Sequence, residues 1–153
     1  MEVYKLESKQ HIKTSMHTCW DFFSSPKNLK IITPSYMGFE IIDAVEGKIY
    51  PGQIIQYKVK PLFGIPLLWV TEITQVKENK FFIDEQRIGP YKFWHHKHFF
   101  KEVKDGIEMK DVIHYALPYG FLGRIVNKLF VRKQLQNIFK YRYQKINNIF
   151  NEQ

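Results

Sequence analysis

From residue 37 to 117 apolar and polar positions alternate with a period of two, the mark of strands with one buried face. Six such stretches follow one another: FEIIDAV (39–45), QIIQYKVK (53–60), LLWVTEITQV (67–76), KFFIDEQRI (80–88), KFWHHKHFFKEV (92–103) and IEMKDVIHYAL (107–117). Turn signals at Glu46-Gly47, Phe63-Gly64, Glu78-Asn79, Gly89-Pro90 and Asp105-Gly106 separate them. Connections this short predict an antiparallel meander.

Outside that run the pattern changes. Residues 3–12 (VYKLESKQHI) place Tyr4, Leu6, Ser8, Gln10 and Ile12 on one face of a first strand. Thr14 or Ser15 is placed to cap a helix over MHTCWDFF, and SSPKNLKIITP reads as a second short helix with Ser25 as cap, Pro26 at its first position and Pro34 closing it. Residues 120–150 predict one long helix. Its expected buried stripe is Leu122, Ile125, Val126 and Leu129, then Leu135, Ile138, Phe139, Arg142, Ile146 and Ile149. The stripe drifts between Phe130 and Lys133, where a kink is expected. The 153 residues are most economically one domain, 1–153. Strand, two short helices, six strands and a long helix make an α+β chain. A seven-stranded antiparallel sheet curled round the last helix encloses a space.

Order and wording together resemble the helix-grip fold of the START and birch-pollen-allergen-like superfamily. Within it the wording resembles one branch, the ligand-binding SRPBCC domain proteins related to polyketide cyclase/dehydrases. It is carried by DFFSSPKNLKIITP (21–34), GFEI (38–41), IPLLWVTEIT (65–74), FIDEQRIGPYKFWHHKHFF (82–100), DVIHYALPYG (111–120) and VRKQLQNIFKYR (131–142). The resemblance implies an internal cavity and carries no shared reaction with it.

Strand phase assigns the inner wall. Ile55, Tyr57 and Val59 alternate with Gln56, Lys58 and Lys60; Trp69, Thr71 and Ile73 share a face, as do Phe82, Asp84 and Gln86. In the histidine-rich strand Trp94, His96, His98 and Phe100 fall on one face and His95 and Lys97 on the other. Turning the first set inward leaves the Lys97 charge in water. Lys92 conflicts with this phase, so a bulge or the strand end must lie beside it. Asp111, Ile113 and Tyr115 face in on the last strand, with Lys110 and His114 outward.

Aromatic residues make up 16% of the chain, enough to line a cavity with rings. The expected ligand-binding set is Tyr57, Trp69, Thr71, Phe82, Gln86, Trp94, His96, His98, Tyr115 and Arg142. The expected ligand is a hydrophobic small molecule bearing a polar group, oriented by His96, His98, Gln86 and Tyr115, with Arg142 complementing a negative charge. The alternative is a cyclase, dehydratase or hydrolase using His96 or His98 as acid or base and Asp84 or Asp111 as orienting group. His96-x-His98 with scattered aspartates is a weak metal motif, and neither a metal nor a cofactor is expected.

A net charge of +8, from 23 basic and 15 acidic residues, favours anionic surfaces. It adds a third reading, a membrane-surface or partner-binding module using the basic C-terminal helix and the apolar segments 61–66 and 119–123. Nucleic acid is not expected as a partner, because no recognised module occurs and the aromatics alternate inward. The single cysteine, Cys19, reads as a small buried hydrophobe. No signal-peptide pattern or long apolar run occurs, so a cytoplasmic protein is expected.

Overall fold

Each alternating stretch contains a strand in the computed structural model, which describes residues 2–43, 46–61 and 64–152. The strands are β1 (Tyr4–Ile12), β2 (Glu40–Ile41), β3 (Gln53–Val59), β4 (Leu67–Lys77), β5 (Phe81–Ile88), β6 (Phe93–Val103) and β7 (Gly106–Ala116). They form one antiparallel sheet in the order β1-β7-β6-β5-β4-β3-β2. Register shifts at Val70/Thr71 and Ile73/Gln75 interrupt the β4–β5 ladder, and such irregularities bend a sheet locally. β6 begins at Phe93, so the strand end resolves the conflict at Lys92.

Between β1 and β2 lie α1 (Met16–Phe23) and two short 3-10 turns, Pro26–Lys30 and Ser35–Met37. Ser15 caps α1, its hydroxyl accepting from the Thr18 N–H at 3.1 Å. Ser25 and Pro26 begin the first 3-10 turn as expected, although the Ser25 side chain makes no capping bond. Ala44 and Val45 of FEIIDAV and Leu62 and Phe63 of the 61–66 tip fall outside the described residues.

After β7, α2 (Gly120–Val126) passes through a π-helical turn (Asn127–Val131) into α3 (Arg132–Phe150). This turn overlaps the expected drift at Phe130 and Val131. α3 rests on the concave face, with Leu135 and Ile146 buried. Its second half is tied to β1, as the Gln10 amide donates to the Tyr143 carbonyl at 2.8 Å. Ile12, Trp20, Phe82, Phe100, Ile107, Met109 and Ile146 belong to the main core cluster. Trp20 packs edge-on against Phe82 and Phe100, with centroids 6.1 and 5.5 Å apart. Each such fully buried side chain contributes about 1.5–3 kcal/mol. Cys19 is buried, and burial pushes its thiol up to about 12, as a structural role requires.

The expected stripe is wrong over the first half of the long helix. Leu122, Ile125, Val126 and Leu129 are exposed, while Gly123, Asn127 and Val131 are buried. The cause is close contact at Gly123, where a Cβ would lie 2.2 Å from the Pro118 carbonyl oxygen. Only glycine fits there, and the helix is rolled so that this side faces the protein. No helix among the described residues is long and apolar enough to cross a membrane.

Candidate functional site

Register brings the inner-face histidines and aspartates together. Asp84 lies opposite His96 on the β5–β6 ladder, and His98 opposite Asp111 on β6–β7. The resulting cluster crosses three strands: His96 Nε2 is 2.9 Å from Asp111 Oδ1 and His98 Nε2 is 2.7 Å from Asp84 Oδ2. His96 Nδ1 stands 3.5 Å from Asp84 Oδ2 and His98 Nδ1 2.9 Å from Asp111 Oδ1. The last pair is close but not aligned for a hydrogen bond. All four imidazole nitrogens therefore face carboxylates. His98 stacks on Phe82 with centroids 4.0 Å apart, and His96 lies tilted against His98 with centroids 3.7 Å apart.

Burial and neighbouring charge set the protonation. Burial opposes ionisation of Asp111, but the Arg142 charge and the two histidines overcome it and hold the carboxyl well below its usual range. Asp84 is likewise lowered against burial, by His96 and His98. Burial also pushes His98 down, yet its contacts with Asp111 and Asp84 raise it overall. His96 is lowered, first by burial and then by the His98 charge.

Titration of the two ring resonances by NMR should therefore find His98 above the ordinary imidazole value of 6.5 and His96 below it. In stability terms, the His98 contribution is complete below 6.5 and lost as pH rises through its raised value. The His96 contribution is complete above 6.5 and lost as pH falls through its lowered value. The pair supports folding best near 6.5. Both rings titrating on the same side would contradict this arrangement.

The cluster borders a cavity of about 210 Å³ between the sheet and α3. Of the expected set, Tyr57, Trp69, Thr71, Phe82, Trp94, His96, His98 and Arg142 line it, together with Asp84. Trp69 and Trp94 stand perpendicular, 5.2 Å apart, and the Trp69 indole N–H donates to the Thr71 hydroxyl at 3.0 Å. Lining residues not anticipated come from the helical segments, among them Phe22, Phe23, Leu29 and Ile32. Their apolar character in short amphipathic turns was the only available signal.

Arg142 is buried on α3, as its place on the apolar stripe foretold. Its guanidinium lies 5.9 Å from the Phe23 ring centroid and 5.7 Å from that of Phe139. Its Nε has no hydrogen-bond partner. Among the described residues no carboxylate lies within 4.0 Å of the group, so its attraction to Asp111 acts across a gap.

Gln86 and Tyr115 share the inward phase but do not line the cavity, which corrects their expected part in orienting a ligand. The Gln86 amide clasps the β5–β6 turn, donating to the Tyr91 carbonyl at 2.7 Å and accepting from its N–H at 3.2 Å. Tyr115 donates from its hydroxyl to Asn127 Oδ1 at 2.9 Å, in the buried seam below the π turn. Tyr115→Phe is thus expected to cost about 1–3 kcal/mol by leaving Asn127 short of a partner, measured by urea denaturation. An unchanged midpoint would show that this bond contributes nothing. His95 sits on the opposite face, beside Glu85 at 3.7 Å.

Comparison by sequence finds no matching protein-family model and no matching curated protein. Solved structures share the fold. The di-domain ARO/CYC BexL from the BE-7585A biosynthetic pathway matches with a TM-score of 0.72 at 12% identity, over 97% of this chain and 50% of that one. Protein CV1439 from Chromobacterium violaceum matches with a TM-score of 0.71 at 9% identity, over 95% and 96%. Ara h 8.0201 matches with a TM-score of 0.61 at 15% identity, over 96% and 99%. The chain has the helix-grip fold that its sequence resemblance implied, a curved seven-stranded sheet with a long C-terminal helix.

Proposed function

We propose that this chain binds a compact, largely apolar molecule bearing an acceptor oxygen, held between the sheet and α3. The observation that carries this reading is Arg142, a buried cation in the wall of a ring-lined cavity whose Nε–H has no partner. A buried donor left unmatched is costly, and an oxygen entering the cavity relieves that cost. Tyr57, Trp69, Phe82 and Trp94 supply the apolar contacts. About 210 Å³ suits one or two fused rings rather than a long chain, since pockets for drug-sized ligands run from about 300 Å³ upward.

Binding rather than catalysis is supported by the histidines. Each ring is anchored through its Nε2 to an aspartate, at 2.9 Å for His96 and 2.7 Å for His98, and its Nδ1 faces a second carboxylate, so the cluster is turned onto itself rather than toward a bound molecule. The same pairing supports a structural role over metal ligation, although Asp84, His96 and His98 lie close enough together to share an ion.

The test is a matched pair of probes, 1-naphthoate and 1-methylnaphthalene, followed through the fluorescence of Trp69 and Trp94 at the cavity wall. Naphthoate should bind at least about tenfold more tightly, as expected for one charge-assisted hydrogen bond. Equal affinities, or no binding of either probe, would defeat the proposal.

A further inference from the structure

The first turns of the long helix are built inside out. The buried positions Gly123, Asn127 and Val131 recur every four residues, and only the last of them is apolar and bulky. The large apolar side chains Phe121, Leu122, Ile125, Val126, Leu129 and Phe130 are exposed, from 39% at Val126 to 65% at Phe121. Large contiguous apolar surface of this kind marks a place where something docks. Tyr119, 83% exposed, stands at the head of the same segment.

Charge identifies what docks. Arg124, Lys128, Arg132 and Lys133 lie among these apolar residues, all exposed, and no Asp or Glu occurs from 112 to 151. A second copy of the chain would bring four cations against four cations, a repulsive arrangement. An anionic bilayer meets both requirements at once, taking apolar side chains into the headgroup boundary while its phosphates meet the cations. Position adds a further argument. Phe130 lies four residues before Gln134, which lines the cavity and donates to the Pro61 carbonyl, so this face adjoins one end of the cavity.

We propose that residues 119–133 form a docking surface for an anionic phospholipid bilayer. The surface does not depend on an occupied cavity, so its success or failure is separate from that of the binding reading.

Flotation of the full chain with vesicles of mixed phosphatidylcholine and phosphatidylglycerol tests the proposal. At low salt the protein should float with these vesicles, and much less with phosphatidylcholine alone or at high salt. K128A/R132A should lower partitioning about thirtyfold, since each surface cation contributes about 1 kcal/mol. L129S/F130S should lower it about tenfold or more. All four positions are exposed, and circular dichroism confirms that each pair has folded. Phe121→Trp should report a blue-shifted emission on vesicle addition. Absence of flotation with anionic vesicles overturns the proposal, as does equal flotation of the parent and both folded pairs. A dimer that L129S/F130S dissociates, without vesicle binding, would assign the face to self-association and overturn it equally.

Discussion

Replacing Asp111 with alanine is expected to remove about 3–5 kcal/mol of folding stability, the loss typical of breaking one member of a buried charge cluster. Asp111 is buried, touches His96 and His98 at 2.9 Å each, and is held ionised against burial by the Arg142 charge and the two histidines. Without it, a protonated His98 and Arg142 share Asp84 alone. Urea denaturation measures the loss directly, and the melting temperature should fall by about 10 °C or more. Asp111→Asn keeps the volume and one acceptor, so it should cost less.

The sign of the pH dependence follows from the depressed carboxyl. The advantage of the parent over D111N is complete above the ordinary carboxylate value of 3.8 and lost as pH falls through the lowered one. A D111A loss below about 1 kcal/mol would mean that the cluster contributes little to the fold.

Arg142→Met should weaken 1-naphthoate binding about thirtyfold to a hundredfold and leave 1-methylnaphthalene within about threefold. Methionine keeps an unbranched apolar stem in the same space and removes only the cation and its donors. The two probes share their ring contacts, so the difference between them isolates the oxygen. Arg142→Lys restores the charge without the planar fork of donors and should recover part of the affinity. If the methionine variant lost both probes equally, Arg142 would be shaping the wall rather than addressing an oxygen.

The sheet was legible because period-two alternation records which side of a strand faces the core. It placed Ile55, Tyr57, Thr71, His96, His98 and Asp111 correctly, all of them buried. Alternation reports the side of the sheet but not the depth of the cavity along it. Gln86 and Tyr115 have the right phase, yet each meets a nearer partner before reaching the cavity. The long helix shows the opposite limit. From Leu135 onward, hydrophobic spacing marked the packed face because packing is what those residues do. Between Leu122 and Leu129 a glycine contact and one Tyr115–Asn127 hydrogen bond fix the roll of the helix, and hydrophobic periodicity contains neither.

The pairing of β1 with β7, which joins Tyr4 to Tyr115 and Ile12 to Ile107, also has a kinetic consequence. Among the described strands, β7 is the only sheet neighbour of β1 and the last to be made. At about 5–20 residues per second, the first strand leaves the ribosome several seconds before its partner. The hairpins from β3 to β7 close locally and need not wait. β1, and the part of α3 that leans on it, join at the end. Slow refolding should therefore follow the closure of this one seam, while the meander forms early.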